Sequence, residues 1–271
     1  MITGKKIGIL VGMLSTICYA QYNGRGSKAT AMANAFVAIA DNPWAVAYNP
    51  AGLARQTSSA ASVFVVPQQF GLPELRTIAL AATHTFAFAT LGVGFDQFGF
   101  DLYKETVLSV AAAHGIDWGV SGGITLNIRR IGMERYGTAH AATVDLGLLA
   151  EAEEDLFFGF AMKNISATSI GSQNERLPQV FLLGTRYDPA LDFRLSLEVE
   201  KDTRHPVIVK CGLERRFYDA FAVRMGVSDN PDKFSAGFAA RYSPFEFSYA
   251  GYSHPQLGWT HQIELSFGIA E

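Results

Sequence analysis

The chain has 271 residues, a formal net charge of −3 and a charged fraction of 17%, against roughly 25% in soluble domains. With 49% hydrophobic residues and a mean hydropathy of +0.13, part of its surface has to be covered by something other than water. The near-neutral balance and the lack of a basic cluster argue against nucleic acid as the partner. Past residue 20, no run approaches the roughly 18 uncharged apolar residues of a transmembrane helix, so any contact with lipid is made by strands.

Residues 1–20 have the layout of a secretory signal. Lys5 and Lys6 form a basic start, Ile7 to Ile17 an apolar stretch, and Cys18-Tyr19-Ala20 a small-x-small cleavage site, which makes Gln21 the mature N-terminus. The apolar stretch is shorter than the roughly 20 residues of a spanning helix, which favours a cleaved signal over an anchor. Cys18 raises lipidation as an alternative, but the bulky Ile17 stands where such signals place a small residue. Cleavage leaves Cys211 alone, so no intrachain disulfide forms.

Residues 21–57 form a second unit, distinct from the rest of the chain. Ser27 to Ala40 is rich in Ala and Met without a period of two, and it reads as helical, with Ser27 capping a helix that begins at Lys28. Asp41-Asn42-Pro43 breaks it, and Ala45 to Arg55 reads as a short turn or helix around Asn49-Pro50-Ala51-Gly52.

From residue 58 to 271 one pattern repeats: short runs of alternating polarity separated by Gly, Pro, Asn or Asp. Strands are expected at 59–66, 75–83, 86–97, 104–114, 117–130, 140–152, 155–164, 178–188, 192–201, 206–216, 220–228, 233–242, 245–252 and 258–269. In the last of these, Leu257, Trp259, Ile263, Leu265, Phe267 and Ile269 share one face with His261, opposite Thr260, Gln262, Glu264, Ser266 and Gly268. The count is about fourteen, each long enough for the roughly 9 to 11 residues that carry a tilted strand across the hydrocarbon. An even count brings both ends of the sheet to one side. Turn signals such as Asp188-Pro189, Asp229-Asn230-Pro231 and Ser243-Pro244 imply short connections without long external loops.

The fold class read from this is all-β: a transmembrane antiparallel barrel of about 14 strands with a partly helical N-terminal hatch in its lumen, set in a bacterial outer membrane and in contact with its lipids. A soluble sandwich also alternates. The second face here, however, is rich in Gly, Ala and Ser, as suits a tight lumen packed against a plug. Trp118, Tyr187, Tyr218, Tyr242, Tyr252 and Trp259 lie near strand ends, either as interfacial girdles or as ordinary strand packing. The charges Asp96, Arg129, Asp145, Lys163, Arg186, Arg194, Glu198, Lys210, Arg224, Arg241, Glu246 and Glu264 fall opposite the apolar face and are expected to point inward. Their mixed signs imply internal ion pairs, not a pore selective for one charge.

Within residues 26–53, the elements Ala35-Phe-Val-Ala-Ile-Ala-Asp41 and Asn49-Pro-Ala-Gly-Leu53 resemble the N-terminal hatch of FadL-type outer-membrane proteins, a superfamily that includes long-chain fatty-acid transporters and the shorter PorV and PorQ proteins. Leu257 to Phe267 resembles the last strand of the PorV-like branch. The resemblance implies a fourteen-stranded barrel in which Asn49, Pro50, Ala51 and Gly52 form a hatch motif that shifts when a hydrophobic ligand enters. From the residues alone, Asn49-Pro50 is also a plain turn. The chain is much shorter than a fatty-acid transporter of this type, which puts a fatty-acid substrate in doubt.

No enzyme constellation and no cofactor site stand out. Ser121-Gly122-Gly123 and Gly92-Val93-Gly94 lie within period-two runs, where glycine relieves crowding. The six histidines show no metal-ligand spacing, and most are expected at strand ends or in turns. Glu151, Glu153, Glu154 and Asp155 read as a solvated hairpin, with cation binding as the alternative. Three functions are consistent with these features: passage of hydrophobic, fatty-acid-like small molecules across the outer membrane, a sealed barrel serving as a component or cargo-binding partner of a type IX-like secretion system, or a structural barrel of neither kind.

Overall fold

A computed structural model describes residues 24–171 and 174–268; the expected signal, its cleavage site and Gln21 lie outside them. Period-two alternation gives one pleated antiparallel sheet. Its strands are β1 (Ala60–Val66), β2 (Thr77–Thr85), β3 (Thr90–Phe100), β4 (Tyr103–Gly115), β5 (Val120–Met133), β6 (Gly137–Glu153) and β7 (Leu156–Lys163). After the small hairpin β8 (Ser169–Ile170) and β9 (Glu175–Arg176), it resumes with β10 (Val180–Ala190), β11 (Phe193–Asp202), β12 (Val207–Phe217), β13 (Phe221–Ser228), β14 (Lys233–Tyr242), β15 (Phe245–His254) and β16 (Gly258–Phe267). Every barrel strand pairs with its neighbours, and β16 closes on β1 through the register Ala61↔Phe267 to Val65↔Ile263. The barrel therefore has 14 strands and no free sheet edge around its waist.

Both ends of the sheet meet at one rim, called here the near rim. Its turns are short, for example residues 154–155 between β6 and β7 and 243–244 between β14 and β15. The far rim carries the longer connections, 67–76 and 164–179, the second folded into the β8–β9 hairpin against β6. The other connections are short, as expected of most of them.

Local geometry corrects several expectations. The third strand starts at Thr90, not at residue 86, because Phe86 N–H bonds Ala89 O and closes a turn. The sixth runs 17 residues, longer than the alternation suggested, since its far half continues beside β5. Tyr252 is not an interfacial girdle residue: it is 4% exposed and packs edge-on against Phe70 inside the far rim. Trp118, Tyr218 and Tyr242 do stand out from the near rim.

Outward positions are apolar around the whole circumference, from Val63 and Leu80 to Leu197 and Leu265. His261, the polar intruder on that face of β16, bonds Tyr249 Oη through Nδ1 at 2.6 Å and stacks near Trp259. Pairing its ring nitrogen this way lowers the cost of a polar group on an apolar surface.

The core lies inside the barrel. Residues 24–59 thread the lumen and bury Met32, Phe36, Val37, Ile39, Trp44, Val46 and Leu53 almost completely. The expected helix over Ser27 to Ala40 is much shorter. Only α1 (Ser27–Ala31) forms, Gly26 rather than Ser27 is its N-cap, and no side chain caps it. Ala33 and Asn34 then take positive φ values of 54° and 63°, which stops the helix. The Phe36 and Val37 amides, which a continuing helix would use internally, turn to a carboxylate of the wall instead. Two 3₁₀ turns come next along the chain, Pro43–Val46 and Pro50–Arg55, each opened by an asparagine whose side chain accepts a backbone N–H and by a proline at the first position.

Candidate functional site

The Asn49 to Gly52 corner is the tightest join between the lumen segment and the wall. Asn49 is fully buried, its Oδ1 accepting Ala51 N–H at 3.1 Å. Its Nδ2 donates twice, to Val37 O of the lumen segment at 2.8 Å and to Leu148 O of β6 at 2.9 Å. One amide thus ties the turn to itself, to the preceding loop and to the barrel. Pro50 and Ala51 rest on Gly123 of β5, and Asn49 on Gly147 of β6, positions where a methyl group would overlap the segment's atoms. Gly123 and Gly147 face each other across the β5–β6 ladder, as do Gly159 and Gly184, and Gly212 and Gly226. These paired glycines, together with Gly237, receive Val37, Ala38, Met32 and Ala31. The wall is thinned wherever the segment's backbone presses on it. Gly52, the last residue of the motif, is itself tight against Ala40.

The inward charges then lock this segment in place. Glu198 of β11 accepts both Phe36 N–H and Val37 N–H at 2.8 Å and is paired with Lys210 of β12 at 2.7 Å. On the opposite wall, Glu264 of β16 accepts Ser27 N–H and, at 2.7 Å, the indole N–H of Trp44. Lys163 of β7 donates to Ala47 O at 2.8 Å and lies 3.4 Å from Asp145. Asp96 pairs with Arg25, and Arg129 with Glu105 at 3.2 Å. Toward the near rim, Asp41 joins Lys28 and Arg194, each at 2.7 Å, while Arg194 and Arg186 both grip Asp188. Arg224 lies between Glu214 at 2.6 Å and Glu246 at 3.7 Å, and Arg241 completes that chain at 3.0 Å from Glu246.

Each predicted inward charge therefore has a named partner. The partners that sequence reasoning missed are Glu105, Asp188 and Glu214 on the wall and Arg25, Lys28 and Asp41 on the segment. Glu214 shares parity with Lys210 and Gly212, so alternation alone could have found it. The segment's charges carry no such periodicity. Burial by itself would push the Asp41 carboxyl up, but Lys28 and Arg194 against it hold it well below the usual carboxylate range. Among the acidic residues of the β6–β7 hairpin, Glu151 leaves the turn and pairs with Arg55 at 2.7 Å.

Two cavities whose linings share no residue lie toward the two ends of the segment among the described residues. A near cavity of about 280 Å³ is lined by Asp41, Arg55, Gln56, Arg194 and Phe221. A far cavity of about 180 Å³ lies between Asn34 and Tyr48 below and Glu175 to Pro178 of the hairpin above.

No protein-family model matches this chain, and no curated protein matches it in sequence. Solved structures do match it in three dimensions. The CymD monoaromatic hydrocarbon channel superposes with a TM-score of 0.68 at 13% identity, covering 92% of this chain and 98% of that one. The Pseudomonas putida toluene transporter TodX gives 0.67 at 11% over 92% and 99%, and a Pseudomonas aeruginosa FadL homologue gives 0.64 at 10% over 90% and 98%. The chain has the fold of these proteins. At such identities the likeness speaks for the fold alone.

Proposed function

We propose that this protein is an outer-membrane channel of the FadL type that passes small hydrophobic molecules, with residues 24–57 as the gate. The observation that carries this reading is the Asn49 corner. A segment that joins the wall through side-chain hydrogen bonds and glycine contacts, without adding a strand to the sheet, can detach while the barrel stays closed. The two cavities on its two faces support the same reading, since displacing the segment would join them. An apolar belt on every strand and an export signal agree with residence in the outer membrane, the near rim with its short turns facing the periplasm. A further support is the fold shared with channels whose names give monoaromatic hydrocarbons and toluene as cargo.

The test is uptake of radiolabelled toluene by cells that carry the protein, set against cells that lack it. Faster entry with the protein, further accelerated by Asn49→Ala, is the expected outcome. Equal entry in both strains, with secreted proteins co-purifying with the barrel, would replace the gate by the sealed, secretion-serving barrel.

A further inference from the structure

The far cavity has a chemistry that a plain hydrocarbon does not match. At about 180 Å³ it is close in size to the roughly 150 Å³ apolar cavity known to hold benzene, so one ring with a short substituent fits. Its lining differs. Arg25, Arg129, Lys163, Arg176 and Lys210 contribute five cations, and Asp96, Asp145, Glu175, Glu198 and Glu200 contribute five anions. Beside them Val107, Ile131, Leu177 and Leu182 form an apolar strip.

This balance constrains the occupant on both sides. A ligand with a net charge would lose its hydration in a site whose own charges already cancel. A bare hydrocarbon would displace water from ionic groups and return no hydrogen bonds to them. We infer that the far cavity selects a neutral small molecule that carries a hydroxyl group on an apolar body. This rests on the channel reading above and names its substrate class.

The wall has an element suited to reading such a hydroxyl. Ser109 Oγ donates to Asn127 Oδ1 at 2.6 Å, and Asn127 Nδ2 donates to Asp145 Oδ2 at 3.0 Å. Lys163, next to Asp145, ends the chain on the plug carbonyl of Ala47. A hydroxyl can both donate to the carboxylate and accept from the amide, so its natural seat is between Asn127 and Asp145. Asn127 acts as a positioning residue.

The experiment measures binding of benzyl alcohol, toluene and benzoate to the full protein in lipid nanodiscs, with empty nanodiscs subtracted. Benzyl alcohol is expected to bind saturably and at least tenfold more tightly than either of the others. Asn127→Leu, close in size, should erase the advantage while the barrel keeps its heat-modifiable migration on gels. Toluene or benzoate binding as tightly as benzyl alcohol, or an unchanged preference in Asn127→Leu, would overturn the inference; so would no saturable binding of benzyl alcohol. Uptake by cells separates the two levels. Equal protein-dependent entry of toluene and benzyl alcohol removes only the selectivity, whereas entry of neither removes the channel itself.

Discussion

Replacing Asn49 by Ala removes three hydrogen bonds at once: from Nδ2 to Val37 O and to Leu148 O, and from Ala51 N–H to Oδ1. All three lie in a fully buried side chain, so water does not replace them in the closed state. At a net value of roughly 1 kcal/mol each, the loss is about 3 kcal/mol. If the wall itself is unaffected, that energy falls on the equilibrium between seated and detached plug, and the detached fraction rises roughly 150-fold. Hydrogen exchange in nanodiscs reads this directly, as faster exchange in peptides covering residues 34–57 with no change in the β10–β12 wall. Asn49→Asp, equal in shape, should exchange faster still, because a carboxylate oxygen then faces two carbonyls that have lost their donor. A change of less than threefold in both variants would refute the idea that this amide holds the plug.

Three further outcomes are expected. Glu198→Ala strips the charged acceptor from Phe36 and Val37 while Lys210 keeps Glu200; two hydrogen bonds to a charged group are worth roughly 3 to 6 kcal/mol together, so limited proteolysis should cut near residue 36 in the variant and not in the parent. Glu198→Gln, which keeps one acceptor oxygen, should lie between the two. Gly147→Val places a branched side chain where Asn49 sits against the wall, and the expected result is a barrel that folds with an unseated plug, visible as protection lost over residues 34–57 alone. Because the Asp41 carboxyl lies below its ordinary value near 4, its contribution to plug seating is complete above that pH and is lost only as the pH falls beneath it. Exchange in the segment, corrected for intrinsic rate, should therefore be constant from pH 8 to pH 5 and rise only below about 4; a rise centred near pH 6 would contradict the assignment.

Much of the barrel was legible because a strand's two faces see different media. An apolar exterior and a packed lumen impose a period of two, and that period assigns Asp96, Glu198, Arg224 and Glu264 to the interior without any knowledge of their partners. Position along a strand was a weaker cue than parity. Tyr252 is placed inward by parity, yet its nearness to a strand end suggested an interface. The far half of β6 continues past the alternating apolar stretch because β5 continues beside it.

Residues 24–59 obey a different physics, and their conformation is a tertiary result. Alanine and methionine from 27 to 40 favour a helix locally, but beyond Ala31 the chain takes another course, in which Glu198, far along the sequence, offers a charged acceptor to the Phe36 and Val37 amides. Composition and alternation by themselves determined a closed sheet, apolar outside and charged inside. Which carboxylate meets which amide, why glycines face Asn49 and Met32, and where the two cavities lie were decided only when the barrel closed around its own N-terminal segment. Those contacts join residues tens to hundreds of positions apart, and no local pattern encodes them.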